Sequence, residues 1–135
     1  MDEKKTKILI ADDEADFCQL LTFWLESRGY PVIRASNGEE AVEAARKENP
    51  DIILMDLRMP VSDGVEAIKK IRQFNEDIPI IIVSAYVDDP RAKEAMVYGI
   101  SGVFYKGKDF KDFQQGLSLL DSVLRTHKKL KKDPQ

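Results

Sequence analysis

The chain has 135 residues, enough for one domain with a buried core, and its 43% hydrophobic and 33% charged residues are typical of a globular protein rather than a disordered one. A single cysteine, Cys18, excludes an internal disulfide, and a single histidine, His127, argues against a histidine-ligated zinc site. The net charge is −3, and no apolar run approaches the ~20 residues that a membrane-spanning helix needs.

The charge is unevenly distributed along the chain. Residues 125–135 contain five basic residues against one acidic residue, so the part of the chain before them is clearly acidic. We predict one domain over residues 1–124, followed by a basic tail or the start of a linker. Because an acidic domain repels the phosphate backbone of nucleic acids, we expect no nucleic-acid partner for it. The low cysteine content and the lack of a signal peptide predict a cytoplasmic protein.

Short apolar runs alternate with amphipathic stretches five times. Runs of four or five apolar residues predict buried strands, whereas apolar residues three or four positions apart predict helices. The first helix carries Leu20 and Trp24 in its apolar stripe, Asp88 or Asp89 is expected to cap the fourth helix, and Asp109 the fifth. The predicted strands cover residues 7–11, 31–35, 52–55, 79–83 and 102–105, and the helices follow them around residues 17–25, 39–47, 65–71, 90–98 and 110–124.

Strands that alternate with helices predict a parallel sheet covered on both faces. Four of the predicted strands end in a reactive side chain, whereas the second strand does not. Ligands of such sheets bind outside the carboxyl ends of the strands, and the order 2-1-3-4-5 would make the four functional strands neighbours. We therefore predict a doubly wound, flavodoxin-like α/β fold with five parallel strands and five helices. The reactive residues are Asp12, Asp13, Asp56, Ser84 and Lys106.

Three carboxylates, a hydroxyl and an amine at one edge of a sheet suit the transfer of a phosphoryl group. Three acids in one crevice raise each other's pKa values unless a cation lies among them, and hard oxygen ligands suit Mg²⁺. A carboxylate is a competent nucleophile towards phosphorus, and an ionised Asp56 would need no separate base. The metal ion neutralises charge on the transferred group, while the Lys106 ammonium and the Ser84 hydroxyl hold its oxygens.

From about Lys7 to Leu124 the chain resembles the receiver domain of two-component response regulators. The resemblance implies that Asp56 is the phosphoacceptor and receives a phosphoryl group from a phosphohistidine of a sensor histidine kinase or a histidine phosphotransfer protein. It also implies that the chain is not an enzyme, since a receiver catalyses only its own phosphorylation and dephosphorylation. The residues that carry the resemblance are Asp12-Asp13, Asp56, Met59-Pro60, Asp63-Gly64, Ser84 and Lys106.

The resemblance further implies the contacts of the metal ion and of the phosphoryl group. Ser84 would bind the acyl phosphate, and Lys106 would pair with it. In the family, phosphorylation remodels the face made by helix four, strand five and helix five, so an output domain or protein is expected there, and a homodimer is possible. The implied Mg²⁺ ligands are Asp12, Asp13, Asp56 and the backbone carbonyl of Arg58.

Two positions depart from the family pattern. The family usually carries Tyr or Phe three residues before the lysine and Pro directly after it, whereas this chain has Val103 and Gly107. We therefore expect normal phosphorylation with a muted change on the output face. Arg58 and Tyr86 lie where the family places side chains that flank the phosphoryl group, and we expect their bulk to slow its hydrolysis.

Two other functions remain open from the sequence. A haloacid-dehalogenase-type phosphatase also uses an Asp nucleophile, Mg²⁺, a Ser or Thr and a Lys, but it takes its nucleophile from the first strand in an Asp-x-Asp arrangement. Here Asp12-Asp13 is followed by Glu14 and Ala15, so that spacing is missing. A binding module that resembles a receiver but is never phosphorylated is the other alternative, and the complete set of five reactive side chains argues against it.

Overall fold

The computed structural model describes residues 5–61 and 63–132, in which strands and helices alternate five times. Each predicted apolar run forms a strand of four or five residues. The strands are β1 (Ile8–Ala11), β2 (Val32–Ala35), β3 (Ile52–Asp56), β4 (Ile80–Ser84) and β5 (Gly102–Tyr105). The helices are α1 (Ala15–Ser27), α2 (Gly38–Glu48), α3 (Gly64–Phe74), α4 (Pro90–Met96) and α5 (Phe110–Lys132).

All strand pairings in the sheet are parallel, and the strand order is β2-β1-β3-β4-β5. This order confirms the predicted doubly wound, flavodoxin-like fold. β1, β3 and β4 are buried along their whole length because helices cover both faces of the sheet. β2 lies at one edge and exposes Arg34, which agrees with its more polar sequence.

The hydrophobic core has two layers, one on each face of the sheet. Residues from α2, α3 and α4 form one layer, and residues from α1 and α5 form the other. Successive strand residues alternate between the layers, so Ile82 belongs to the first and Val83 to the second. In β5 the same alternation puts Val103, which pairs with Ile82, on the α4 side and Phe104, which pairs with Val83, on the α5 side.

Phe104 lies at the centre of an aromatic cluster in the second layer. Its ring centroid is 5.5 Å from that of Phe17 and 5.8 Å from that of Phe113, with the rings in edge-to-face arrangements. Gly116 of α5 packs directly on the Phe104 ring, and a Cβ atom at this position would overlap the ring. The glycine therefore allows α5 to lie close against β5.

The predicted helix caps at two positions are confirmed. Asp89, rather than Asp88, caps α4, since its side chain accepts a hydrogen bond of 3.0 Å from the backbone N–H of Arg91. At the start of α5, the Asp109 carboxylate accepts a hydrogen bond of 3.0 Å from the backbone N–H of Asp112. Both caps lie on loops that leave the carboxyl edge of the sheet.

The exposure of α1 differs in part from the prediction. Leu20 is 53% exposed, so its assignment to the core-facing stripe is wrong. Cys18, Leu21 and Leu25 form the buried face of this helix, and Leu20 is turned away from it by the 3.6-residue period. Trp24 is half-buried against the core, with the Arg28 guanidinium 3.8 Å from its ring centroid.

The last helix, α5, continues to Lys132 and so runs through the domain boundary predicted at residue 124. The His127 Nε2 atom lies 3.7 Å from Asp51 Oδ1, directly before β3, so the helix approaches the sheet beyond that boundary. The division into domain and tail stays a prediction. Although α5 has 23 residues, neither it nor any other helix in the described part of the chain is long and apolar enough to cross a membrane.

Candidate functional site

The reactive side chains predicted from the sequence meet at the carboxyl edge of the sheet. Asp12 and Asp13 follow β1, Asp56 and Ser84 are the last residues of β3 and β4, and Lys106 follows β5. Neighbouring parallel strands end at the same level, which brings all five residues to one crevice. The crevice contains a cavity of about 380 Å³, lined by Asp13, Glu14, Asp56, Arg58, Ser84, Ala85, Tyr86, Asp89 and Lys106.

Three carboxylates lie close together in this crevice. Asp12 and Asp56 are buried, Asp13 is exposed, and each offers an oxygen within 4.8 Å of the others. Burial and the charge of Asp12 raise the pKa of Asp56 to about 7, and burial raises the pKa of Asp12. At neutral pH the Asp56 carboxyl is therefore only partly ionised until a cation comes close, as the repulsion between acids predicts.

The acidic cluster fits a hard divalent cation. Asp12 Oδ2 is buried and accepts no hydrogen bond from the residues that the structure describes, although it lies 3.0 Å from the Lys106 ammonium nitrogen. A buried carboxylate oxygen without a hydrogen bond is unfavourable unless a positive charge is close by. Mg²⁺ prefers such oxygen ligands and keeps several waters beside a small number of carboxylates. The donor set therefore matches the ion predicted from the sequence.

Lys106 is held on the Asp12 side of the crevice. Its Nζ atom is 3.0 Å from Asp12 Oδ2 and 2.5 Å from Glu14 Oε1, but 3.7 Å from Asp56 Oδ2. The Phe17 ring centroid lies 4.8 Å from the ammonium. Burial lowers the pKa of Lys106, but hydrogen bonds to Glu14 and Asp12 outweigh this effect and raise it to about 12. The residue is a permanent cation beside the acids.

The Ser84 hydroxyl is buried and bonded away from Asp56. It lies 2.9 Å from the backbone carbonyl of Tyr86 and 3.2 Å from Asp89 Oδ2, and it accepts a hydrogen bond of 3.1 Å from the Tyr86 N–H. Asp89 is only 3% exposed, and its carboxylate also accepts two hydrogen bonds from the Arg58 guanidinium, of 3.1 and 3.3 Å. The serine, the arginine and the helix α4 cap thus share one carboxylate.

The two residues expected to flank the reacting group line the same cavity. The Arg58 guanidinium carbon lies 5.3 Å from the Tyr86 ring centroid, and the tyrosine is 59% exposed. Arg58 also donates its backbone N–H to Asp56 Oδ1 at 3.1 Å, which holds the β3–α3 loop against the carboxylate. Both side chains therefore border the crevice, as the sequence predicts.

The positions that depart from the family pattern are Val103, the second residue of β5, and Gly107, which lies two residues beyond its end. Val103 is 40% exposed on the α4 side of the sheet, while Phe104 is buried on the opposite side. Gly107 has a φ of +61°, and a Cβ there would overlap the Asp112 side chain. This left-handed conformation and close approach favour glycine at a position where the family usually has proline.

Sequence reasoning missed two acids of the site. From the sequence, Glu14 is only part of the residue spacing after β1, and Asp89 is only a candidate helix cap. Both ion pairs join residues far apart in the chain, 92 residues for Glu14 and Lys106 and 31 residues for Arg58 and Asp89. The only signal in the sequence is that each acid closely follows the end of a strand with a reactive residue.

Comparisons with known proteins point to one family. The sequence profile of the response regulator receiver domain matches residues 8–118. The chain is 37% identical over 118 residues to the transcriptional regulatory protein ZraR of Klebsiella oxytoca, covering 87% of this chain but 27% of that relative. It is 32% identical over 111 residues to sporulation initiation phosphotransferase F of Bacillus subtilis, covering 82% of this chain and 90% of that protein.

A solved structure with a similar fold is the receiver domain of the sensor histidine kinase PA1611 from Pseudomonas aeruginosa, which contains a magnesium ion in its active-site cleft. Its TM-score is 0.73 at 29% identity, covering 86% of this chain and 95% of that one. The chain belongs to the response regulator receiver domain family. Its function is phosphoacceptor signalling in a two-component system, which these matches favour over the phosphatase and the non-phosphorylated binding module.

Proposed function

We propose that Asp56 is the residue that accepts the phosphoryl group. Its carboxylate lies at the end of β3, buried beside Asp12 and 3.7 Å from the Lys106 ammonium. The observation that carries the proposal is the convergence of this carboxylate with a second buried acid, an amine and a buried hydroxyl in one cavity. Such a site binds a tetrahedral anion and stabilises negative charge on its oxygens.

The transfer is a displacement at phosphorus. An Asp56 oxygen attacks the phosphorus of a phosphohistidine, the phosphorus–nitrogen bond breaks, and its electron pair returns to the imidazole nitrogen. The product is an acyl phosphate on Asp56. Lys106 pairs with one phosphoryl oxygen after it turns from Glu14 and Asp12, and Ser84 donates its hydroxyl proton to another. Arg58 and Tyr86 border the entrance and hinder the water that would hydrolyse the product.

We further propose that Asp12, Asp13 and Asp56 hold Mg²⁺ through their side chains and Arg58 through its backbone carbonyl. The three carboxylates, which each offer an oxygen within 4.8 Å of the others, support this assignment. A bound Mg²⁺ ion would neutralise charge on the transferred group and favour the ionised form of Asp56. Because Asp13 is exposed at the mouth of the crevice, its side chain can reach an ion there without rearrangement of the core.

The partners proposed for this chain follow from its family. We propose a sensor histidine kinase or a histidine phosphotransfer protein as the donor, and an output domain, an output protein or a second copy of the chain at the face of α4, β5 and α5. Val103 exposes apolar surface on this face. We place the chain in the cytoplasm, without a nucleic-acid partner for this domain and without turnover of a separate substrate.

Labelling with acetyl phosphate, a small acyl phosphate, tests the proposal. With Mg²⁺, intact-mass spectra should show one added phosphoryl group in the wild type and none in Asp56→Asn, because an amide is not an effective nucleophile. Asp13→Ala should slow the labelling severely by weakening metal binding. Equal labelling of Asp56→Asn would contradict the assignment of the acceptor, and an unchanged rate in Asp13→Ala would contradict that of the metal ligands.

A further inference from the structure

Asp89 is a buried carboxylate that joins three parts of the site. Its Oδ1 atom accepts hydrogen bonds from Arg58 Nη2 at 3.1 Å and from the backbone N–H of Arg91 at 3.0 Å. Its Oδ2 atom accepts from Arg58 Nε at 3.3 Å and from the Ser84 hydroxyl at 3.2 Å. One side chain that is 1% exposed thus connects the β3–α3 loop, the end of β4 and the first turn of α4.

Two of these donors face the cavity that contains Asp56. Arg58 and Ser84 both line it together with the Asp56 carboxylate. A serine hydroxyl has one proton, and the nearest acceptors of Ser84 are the Tyr86 carbonyl at 2.9 Å and Asp89 Oδ2 at 3.2 Å. Ser84 therefore has to leave both before it donates to a phosphoryl oxygen. The Arg58 guanidinium donates its Nε and Nη2 hydrogens to the same carboxylate, which fixes its orientation towards Asp89.

From this geometry we propose that Asp89 is a positioning residue that holds Ser84 and Arg58 away from Asp56 in the unphosphorylated domain, an inference that rests on the proposed function of Asp56. A phosphoryl group on Asp56 must compete with Asp89 for both donors. When it takes them, Asp89 keeps only the N–H of Arg91 in a buried position, which is unfavourable for a charged group. The first turn of α4 therefore has to move.

This arrangement connects α4 directly to the two donors that a phosphoryl group on Asp56 would take. Asp89 is its N-cap, and the helix has only seven residues, so its position depends on this cap and on packing rather than on its own stability. The signal would then reach the output face without a large side chain at Val103. The connection runs through polar contacts of the β4–α4 loop and does not need a rotation of an aromatic ring in β5.

Asp89→Asn separates the positioning role from the capping role. Asparagine keeps an oxygen that can cap α4 but loses the charge that binds the guanidinium. Asp88→Asn is the matched control, because Asp88 is the exposed neighbour and its replacement changes the net charge equally. Asp89→Ser, which keeps a hydroxyl cap, is the second variant if Asp89→Asn does not fold.

The affinity for beryllofluoride, a phosphoryl mimic, is measured with Mg²⁺ by following amide chemical shifts. Asp89→Asn should bind about tenfold more tightly than the wild type, since the mimic no longer competes with a charged acceptor, while Asp88→Asn should stay within about twofold. A role limited to capping α4 would instead lower thermal stability without tightening binding. Equal or weaker binding by the Asp89 variants that fold would overturn the proposal.

A spectroscopic signal of Arg58 provides a second, independent test. The Arg58 Nε–H resonance should shift when beryllofluoride is added to the wild type, towards its position in free Asp89→Asn, because both changes remove the same hydrogen bond. An Arg58 resonance that does not move would overturn the proposal. Failure of the proposed function is distinct: in that case the wild type would not bind beryllofluoride at all, or Asp56→Asn would bind it equally well.

Discussion

Replacement of Asp56 by asparagine should stabilise the protein in the absence of Mg²⁺, and the gain should depend on pH. Asp56 is 6% exposed beside the buried Asp12, and these surroundings raise its pKa from 3.8 to about 7. A shift of about three pKa units corresponds to roughly 4 kcal/mol at most, because each unit is worth about 1.4 kcal/mol. That amount is the free energy by which the folded protein disfavours the ionised form.

The direction of the pH dependence follows from the raised pKa. The stability that the protonated Asp56 carboxyl provides is fully present below pH 3.8 and is lost as the pH rises through about 7. Asp56→Asn cannot ionise and avoids this loss. In EDTA, its free energy of unfolding should exceed that of the wild type at pH 8 by up to roughly 4 kcal/mol, and the difference should shrink as the pH falls towards 4.

Urea unfolding at several pH values between 4 and 8 measures this difference. Asp13→Asn is the control, because it removes the same charge from an exposed position of the same cluster. The difference in stability between Asp13→Asn and the wild type should depend much less on pH than the difference between Asp56→Asn and the wild type. Addition of Mg²⁺ should raise the stability of the wild type at pH 8 and leave Asp56→Asn less affected. An Asp56→Asn protein no more stable than the wild type at pH 8 would refute the reasoning.

Four further predictions concern single features of the fold and the site. Gly116→Ala should lower the free energy of unfolding in urea by about 1–3 kcal/mol, because a Cβ there overlaps the Phe104 ring; an unchanged value would show that α5 shifts freely. Val61→Gly should raise the midpoint of thermal unfolding, since Val61 has a φ of +70°, which strains a β-branched residue; a lower midpoint would contradict this strain. Tyr86→Ala should lose its acyl phosphate faster than the wild type in a time course of intact mass, and an equal rate would mean that the ring does not shield the site. With beryllofluoride, amide shifts in residues 100–120 should be smaller than those around Asp56, because Val103 is small; equally large shifts throughout that range would contradict a muted change on this face.

The strand order and the place where the site residues come together could be predicted from the sequence. Both depend on the local pattern of apolar and polar residues. Apolar runs fix the strands, and the reactive residues that end four of them indicate which strands are neighbours. The exposure of Leu20 could not be predicted in the same way, because α1 has more apolar residues than its buried face can hold. The last residue of α5 could not be predicted either, because basic residues occur equally at helix ends and in solvated tails.

The contacts of Asp89 and Glu14 could not be predicted because they depend on tertiary placement. Sequence spacing gives the end of β4 and the cap of α4, but not that the cap reaches Arg58 in another loop. The roles of the predicted site residues remain proposals, although their positions in one crevice agree with the prediction. The sequence therefore predicts which charged residues belong to the site, but only the folded structure shows which of them form ion pairs.

The most direct test of the assignment is to identify the residue that carries the acyl phosphate. After labelling with acetyl phosphate and Mg²⁺, borohydride reduces an aspartyl phosphate to homoserine, and peptide sequencing by mass spectrometry then locates the changed residue. We predict homoserine at position 56 in the wild type and at no position in Asp56→Asn. Homoserine at Asp12 or Asp13 in the wild type would contradict the assignment of Asp56 and point to a nucleophile on the first strand.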